Sequence, residues 1–290
     1  MNVLVAVDNS EASQAVLEEV VARPWTAGTR FEVLNVVEPA HLWVISSTVE
    51  EAMQMSAVFV ERAAGSLRTK GLEAAGVSLP GDPKRVILDR AKETKADFVF
   101  VGSQGVSALA RFLTGSVASG VVRYAPCTVE IVRARQGKTA GVHKILLATD
   151  GSPSSDRAAQ SIADRPWGDG TEIEVLSVVE LSLGTGQAWL EPPYVDSQQL
   201  EEQRAEAMQR AQKAVASAVQ ILVKTFPRVA ESISVLVSGP KAVITEQADQ
   251  TGADLIVVGS HGHRGIERFM LGSVSEGVAL HAHCSVEVVR

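Results

Sequence analysis

The sequence is poor in cysteine and contains no long hydrophobic run. Its two cysteines, Cys127 and Cys284, are too few for a metal site, and we interpret both as small buried hydrophobic residues. No apolar segment approaches the roughly 18 residues that a membrane-spanning helix needs. Residues 1–8 have the pattern of a strand and lack the basic region of a signal peptide. The sequence therefore predicts a cytoplasmic protein with no membrane partner, and in that reducing compartment we expect no disulfide.

Positive charge is also scarce. The chain has 27 Lys and Arg against 34 Asp and Glu, which gives a formal net charge of −7. Binding along duplex nucleic acid needs a surplus of cations on one face, so we expect no nucleic-acid partner. A single bound nucleotide needs no such surplus.

Two motifs of nucleotide-processing enzymes are missing. No Gly-x4-Gly-Lys-Ser/Thr segment supplies a lysine to the β and γ phosphates of a nucleotide, and no His-x-Gly-His lies near the first predicted strand. Both absences argue against an enzyme that works on nucleotides.

The sequence does contain an internal repeat. Val-Ala-Val-Asp8 returns as Leu-Ala-Thr-Asp150, and Arg23-Pro24-Trp25 returns as Arg165-Pro166-Trp167, both displaced by 142 positions. After the third strand the displacement becomes 157, so the second copy carries 15 additional residues. We predict one domain at residues 1–134 and a second at 142–290, joined by a linker at 135–141 that contains two glycines.

Each half alternates five apolar strands with segments of helical periodicity. This pattern predicts an α/β fold in which right-handed crossovers build a doubly wound parallel sheet with helices on both faces. The third strand of the first half runs into Pro80, which cannot donate a ladder hydrogen bond and should lie at a sheet edge. A strand order of 3-2-1-4-5 places it there and makes the first and fourth strands neighbours. Ligands of such sheets bind beyond the carboxyl ends of those two strands.

A glycine motif follows the fourth strand in both halves. Gly102-Ser-Gln-Gly105 is followed after nine residues by Gly115-Ser116, and Gly259-Ser-His-Gly262 is followed at the same spacing by Gly272-Ser273. Glycine allows close approach of the backbone, and a helix that begins at Gly-Ser offers unpaired N–H groups and the positive end of its dipole to a phosphate. The alternative is a plain strand-to-helix turn with a serine N-cap.

These residues resemble the universal stress protein family in its tandem, ATP-binding form, and the resemblance covers nearly all of both halves. It implies two five-stranded sheets of the adenine nucleotide alpha hydrolase-like type, with order 3-2-1-4-5, and a cytoplasmic regulatory protein of the stress response. It also implies ATP as the ligand, with or without Mg²⁺, held by the glycine motif, by the aspartate after the first strand and by the backbone of a valine in the second strand. Carried onto this sequence, the site residues are Asp8, Val36, Gly102, Gly105, Gly115, Ser116, Asp150, Val178, Gly259, Gly262, Gly272, Ser273 and Ser275. The first half departs from the family in one place, because Ala118 replaces the hydroxyl of Ser275, and its grip on phosphate is expected to be weaker.

Several of these residues could have a structural role instead. Asp8 and Asp150 could cap the first helix of each half, although Ser10 and Ser152 are available for that task. Arg111 and its counterpart Arg268 could approach a triphosphate or could be solvated surface residues. The histidines at 261, 263, 281 and 283 suggest zinc, but no cysteine or carboxylate spacing completes a ligand set, and we expect no metal bound by the chain itself.

Three functions remain open. The first is an ATP-binding regulatory protein that changes shape or partner. The second is a weak ATPase or nucleotidyl-transfer enzyme, for which the only carboxylate in either glycine loop is Glu267, whose counterpart is Ala110. The third is a dimerising scaffold that binds no nucleotide, which would leave the repeated glycine spacing without a physical reason. We assign no catalytic residue.

The fifth strand of each half, residues 128–133 and 285–290, has high β propensity and no neighbour on its outer side in its own half. As in the family that the chain resembles, we predict that the two fifth strands pair antiparallel, so that one chain imitates a dimer, with a further homodimer open. Cys127 and Cys284 would then lie at opposite ends of the pair, roughly 15 Å apart and beyond disulfide reach.

Overall fold

The computed structural model describes residues 1–39, 48–104, 114–134, 141–168, 170–180, 197–236, 239–263 and 271–290. The strands of the first half are β1 (Asn2–Ala6), β2 (Arg30–Val37), β3 (Glu73–Pro80), β4 (Phe98–Gly102) and β5 (Thr128–Val132). The helices are α1 (Glu11–Ala22), α2 (Val49–Arg68), α3 (Pro83–Glu93) and α4 (Ser116–Tyr124).

The second half repeats this succession. Its strands are β6 (Lys144–Ala148), β7 (Glu172–Glu180), β8 (Val229–Leu236), β9 (Leu255–Gly259) and β10 (Ser285–Val289). Its helices are α5 (Pro153–Ala163), α6 (Ser197–Leu222), α7 (Pro240–Thr251) and α8 (Ser273–His281).

The ten described strands form one sheet in the order β3-β2-β1-β4-β5-β10-β9-β6-β7-β8. Paired strands within a half are parallel, and each half has the predicted order 3-2-1-4-5. The halves meet where β5 pairs antiparallel with β10, with Glu130 opposite Glu287. This is the predicted pairing of the fifth strands, and it merges the two expected sheets into one.

The helices begin and end where local chemistry requires. Ser10 caps α1 and Ser152 caps α5, each by accepting a hydrogen bond from the backbone N–H three residues on. Proline occupies the first turn of α3 and α7, where its missing N–H costs nothing. Ala207, Ala211, Val215 and Val219 recur at i, i+4 spacing, which predicts a helix packed on the sheet. The first three are buried and Val219 is half-buried, and α6 packs against β7 and β8.

The edge strand β3 is longer than the sequence indicates. The sequence predicts a strand from Val77 to Leu79, but the strand begins at Glu73 and pairs with β2 over eight residues up to Pro80. Residues of low β propensity such as Ala74 and Ala75 are held in the strand because β3 is hydrogen-bonded along its whole length to β2.

The two faces of the sheet differ in how they join the halves. On the face covered by α3, α4, α7 and α8, one apolar core runs across both halves and includes Val129, Ile131, Val286 and Val288 of the fifth strands. On the opposite face each half has its own apolar core. Glu130 and Glu287 point away from the shared core and have no exposed surface.

An ion cluster surrounds these two glutamates. Arg23 donates to Glu130 at 2.6 Å and to Glu19 at 3.2 Å, and its guanidinium lies 3.5 Å from Glu287. Arg165 forms two hydrogen bonds to Glu287, both at 2.7 Å. The repeated Arg-Pro-Trp motif therefore supplies the cations of the junction. We call Glu19, Arg23, Glu130, Arg165 and Glu287 the junction cluster.

The aromatic residues of the repeat complete the junction. The guanidinium carbon of Arg23 lies 5.3 Å from the ring centre of Trp167 in the other half, and that of Arg165 lies 5.4 Å from Phe98. The two arginines therefore cross the boundary between the halves. The repeated position of Trp25 and Trp167 just after the first helix of each half predicts packing, and the contact agrees with that prediction.

The cysteines differ from expectation in one respect. Cys284 is buried as predicted, but Cys127 is only half-buried. Burial still raises the pKa of the Cys127 thiol to about 12. Both cysteines lie in the described part of the chain, and neither is in a disulfide.

Candidate functional site

The carboxyl ends of the two central strands meet at the same edge in each half. β1 pairs with β4 in the register Ala6 to Val101, and β6 pairs with β9 in the register Ala148 to Val258. Asp8 and Gly102 therefore leave the sheet side by side, and so do Asp150 and Gly259. The predicted site residues near these strand ends come from separate parts of the chain and are brought together by the fold.

Asp150 contacts the glycine loop directly. A Cβ added to Gly262 would lie 2.6 Å from Oδ2 of Asp150. The same oxygen accepts a hydrogen bond from the backbone N–H of His263 at 3.2 Å, while Oδ1 accepts from the N–H of Ser152 at 3.0 Å. Nε2 of His263 lies 2.9 Å from the carbonyl oxygen of Asp150. The carboxylate thus connects the end of the first strand of this half to the glycine loop after β9.

Asp8 sits in a different network. Its Oδ1 accepts from the N–H of Ser10 at 3.1 Å and from the hydroxyl of Ser13 at 2.7 Å, and the Ser10 hydroxyl also donates to it. In the second half the counterpart of Ser13 is Ser155, whose hydroxyl accepts a hydrogen bond from the hydroxyl of Thr149 at 3.0 Å. The first half has Val7 in place of Thr149 and cannot form this bond. Neither aspartate is the N-cap, because Ser10 and Ser152 have that role.

The first glycine of each motif is required by packing of the chain against itself. A Cβ at Gly259 would lie 2.6 Å from the backbone carbon of Ser154 in α5. A Cβ at Gly102 would lie 2.9 Å from Cβ of Ala12 in α1. The small residue lets the first helix of each half approach the strand exit, a reason different from the ligand contact suggested by the sequence.

The Gly-Ser pair opens a helix without a side-chain cap. Gly115 is the N-cap of α4 and Gly272 that of α8, and neither provides a capping hydrogen bond. The alternative of a serine N-cap is wrong, because Ser116 and Ser273 are already the first helical residues. The N–H of Gly115 donates to Ser103 O at 2.7 Å and that of Gly272 to Ser260 O at 2.8 Å, which holds each helix start beside the strand exit.

The remaining predicted residues have diverse positions. Val36 in β2 and Val178 in β7 are half-buried and pack on the shared core. The hydroxyl of Ser275 donates to the carbonyl oxygen of Gly259 at 2.6 Å, and its counterpart Ala118 is buried. Gly105, Arg111, Arg268 and Glu267 lie outside the described residues, so their predicted roles stay predictions.

The histidines of the second half are used in local contacts. Nδ1 of His261 lies 2.9 Å from the hydroxyl of Ser260, and Nδ1 of His281 lies 2.8 Å from Gly277 O. Nδ1 of His283 lies 2.9 Å from Oδ2 of Asp249. Within the described ranges, no three His, Cys, Asp or Glu side chains are grouped as metal ligands would be. Nor, over the same ranges, does any helix have the length and apolar character to cross a membrane.

The fold and the strand-end geometry define a tandem α/β protein with one doubly wound unit in each half and a glycine-capped helix beside each central strand pair. The model of the universal stress protein family matches residues 1–133 and again residues 141–290. The chain belongs to the universal stress protein family, with two copies of its domain.

Individual relatives agree with this. A universal stress protein of Mycolicibacterium smegmatis is 31% identical over 214 residues, which are 71% of this chain and 65% of the relative. One of Mycobacterium tuberculosis is 31% identical over 198 residues, 68% of this chain and 62% of the relative. The chain thus spans slightly less than two thirds of the length of these relatives.

A solved structure shows the same fold. The crystal structure of a universal stress protein from Archaeoglobus fulgidus superimposes with a TM-score of 0.67 at 22% identity. The match covers 100% of this chain and 98% of the other. At this identity the likeness concerns the fold alone.

Proposed function

We propose that this protein binds ATP at two sites per chain, one at the edge where β1 and β4 end and one where β6 and β9 end. The observation that carries the proposal is that α4 and α8 begin without a side-chain capping hydrogen bond. The N-cap glycine of each helix donates its N–H to a serine carbonyl oxygen just after the fourth strand of its half, which holds the helix start beside the strand exit. Three first-turn N–H groups and the helix dipole suit an anion such as the phosphate tail of a nucleotide.

The residues of each half have separate roles in this proposal. Gly115-Ser116 and Gly272-Ser273 hold phosphate, Asp8 and Asp150 contact the ribose or adenosine part, and the backbone of Val36 and Val178 holds adenine. Gly105 and Gly262 leave room for the ligand beside the aspartate, which for Gly262 is supported by the contact with Asp150. Mg²⁺ would accompany the nucleotide as its phosphate counter-ion.

We further propose that this chain is a regulatory protein of the stress response and acts in the cytoplasm. Its domains would comprise residues 1–134 and 142–290, joined by a linker at 135–141. The two halves share no carboxylate in the glycine loop, since Glu267 corresponds to Ala110. A general base that acts near the γ phosphate therefore has no repeated candidate, and hydrolysis is at most slow.

Substitution of a site glycine tests the proposal. Gly262→Asp would place a second carboxylate against Oδ2 of Asp150, so we expect the second site to lose ATP in titration calorimetry. The matched control is Gly170→Asp, because a Cβ at Gly170 meets no atom within 4 Å. The variant should lower the number of bound ATP molecules by one, and the control should not. Equal binding by the two variants would overturn the assignment of the second site.

A further inference from the structure

The two glycine–serine turns are fastened to the protein in different ways. In the second half, Ser275 lies in the first turn of α8 and its hydroxyl donates to Gly259 O at 2.6 Å. The bond is buried and joins the helix start to the end of β9 within one half. The first half cannot make this bond, because Ala118 stands at the corresponding position.

The first half uses a bond to the other half instead. Thr114 precedes the glycine cap of α4, and its hydroxyl donates to Leu280 O at 3.0 Å. Leu280 lies near the carboxyl end of α8, in the second half. The counterpart of Thr114 is Leu271, which is apolar and packs in the shared core. Each half therefore has one of the two hydroxyls and lacks the other.

A partly buried arginine holds Thr114 in this position. Arg133 donates to the Thr114 hydroxyl oxygen at 2.9 Å and to Ala279 O at 2.6 Å. Burial lowers the pKa of Arg133 to about 10, which leaves the guanidinium charged at neutral pH beside the negative end of the α8 dipole.

The counterpart arginine shows what is specific to the first half. Arg290 donates across the junction to Val122 O at 2.7 Å and to Arg123 O at 2.9 Å, near the carboxyl end of α4. Each half thus provides one arginine that donates to backbone carbonyl oxygens near the carboxyl end of a helix in the other half. Only the first half adds a hydroxyl between the arginine and the glycine–serine turn, since Leu271 has none.

We propose that Thr114 and Ser275 are the positioning residues of the two phosphate turns, so that the first site is completed by α8 of the other half while the second site is completed within its own half. The identity of the ligand rests on the proposed nucleotide function. The difference between the two sites rests on the hydrogen bonds of Thr114 and Ser275. It makes the first site dependent on an intact junction.

Site-resolved ATP titration of the full chain tests the binding part. The first site is measured in a Gly262→Asp background and the second in a Gly105→Asp background. Thr114→Val should weaken the first site about fivefold, the effect of one lost hydrogen bond, and leave the second unchanged. Ser275→Ala should weaken ATP binding at the second site and leave the first unchanged. Thr114→Ser keeps the hydroxyl, so its first site should bind ATP as tightly as that of the original protein.

Hydrogen exchange of the ligand-free protein tests the positioning part separately. Thr114→Val should speed exchange of the amides of residues 115–119 and leave those of 272–276 unchanged, with Thr114→Ser close to the original protein. If the original protein bound no ATP, the proposed function would fail, and the exchange result alone would still decide the positioning claim. Unchanged exchange after Thr114→Val, or equal weakening of both sites, would overturn it.

Discussion

The junction cluster leads to a prediction about pH. It contains the carboxyl groups of three glutamates and the guanidiniums of two arginines, and the two glutamates that face each other across β5 and β10 have no exposed surface. Glu130 accepts a hydrogen bond from Arg23 through Oε1, while its Oε2 has no hydrogen-bond partner among the described groups. Burial raises the pKa of Glu130 from 4.5 to about 8; the charges of Glu19 and Glu287 contribute to this rise, and those of Arg23 and Arg165 partly offset it. The folded protein therefore holds a proton on Glu130 at neutral pH.

The sign and size of the effect follow from this shift. Because the folded state binds the proton more tightly than the unfolded state, the stabilisation is complete below about pH 4.5 and is lost as the pH rises towards 8. One pKa unit corresponds to about 1.4 kcal/mol, so the rise from pH 6 to pH 9 spans about two units. We expect the free energy of unfolding to fall by about 3 kcal/mol over this range on account of Glu130.

Glu130→Gln tests the prediction, since glutamine keeps the shape of the side chain and cannot ionise. Urea unfolding at pH 6 and pH 9 should show that the variant gains about 3 kcal/mol on the original protein between the two pH values. Thr128→Val is the control, because it changes a buried residue of the same strand that does not titrate. Its difference from the original protein should be the same at both pH values. A Glu130→Gln difference that does not change with pH would refute the buried proton.

Three further substitutions test the structure. Ser152→Ala removes the N-cap of α5 and should lower the free energy of unfolding by about 1 kcal/mol in urea titration. Gly259→Ala would place a Cβ 2.6 Å from the backbone of Ser154, so we expect a loss of about 2–3 kcal/mol by the same measurement. Arg165→Lys removes the paired hydrogen bonds to the buried Glu287 and should cost about 3 kcal/mol, also by urea unfolding.

Each of these has its own control. Gly170→Ala should be nearly neutral, since a Cβ there meets no atom within 4 Å, and an equally neutral Gly259→Ala would contradict the close helix contact. Ser152→Thr keeps the capping oxygen and should retain most of the stability lost in Ser152→Ala. Arg210 forms an exposed ion pair within its helix, so Arg210→Lys should leave the free energy of unfolding unchanged. If Arg165→Lys were as stable as Arg210→Lys, the buried junction would be contradicted.

The fold was largely predictable because the repeat allowed each element to be seen twice. Strand and helix periodicity predicted the parallel sheets, and Pro80 placed β3 at the edge. The pairing of β5 with β10 was predicted from an apolar strand with one side unpartnered together with the family resemblance.

The junction cluster could not be predicted in the same way. Glu130 and Glu287 lie between β-branched apolar residues in strands that look like sheet edges, where a charged residue normally faces solvent. Only the pairing of the two halves buries them. The repeated arginines were visible in the sequence, but their partners in β5 and β10 are more than 100 positions away along the chain.

The candidate site was predictable as a location more than as a set of contacts. The spacing of the glycines and the position of Asp150 indicated one strand edge, and the structure brings them into contact through Gly262. The bond from Thr114 to Leu280 had no signal in the sequence, because it joins a loop to a helix of the other half and its counterpart is a leucine.

The central claim is that each half of the chain holds an adenine nucleotide at the carboxyl ends of its two central strands. Titration of the purified full-length chain with ATP, combined with native mass spectrometry of the complex, tests it most directly. We expect two molecules of ATP per chain, of which Gly262→Asp removes one. A chain that binds no adenine nucleotide at millimolar concentration would contradict it.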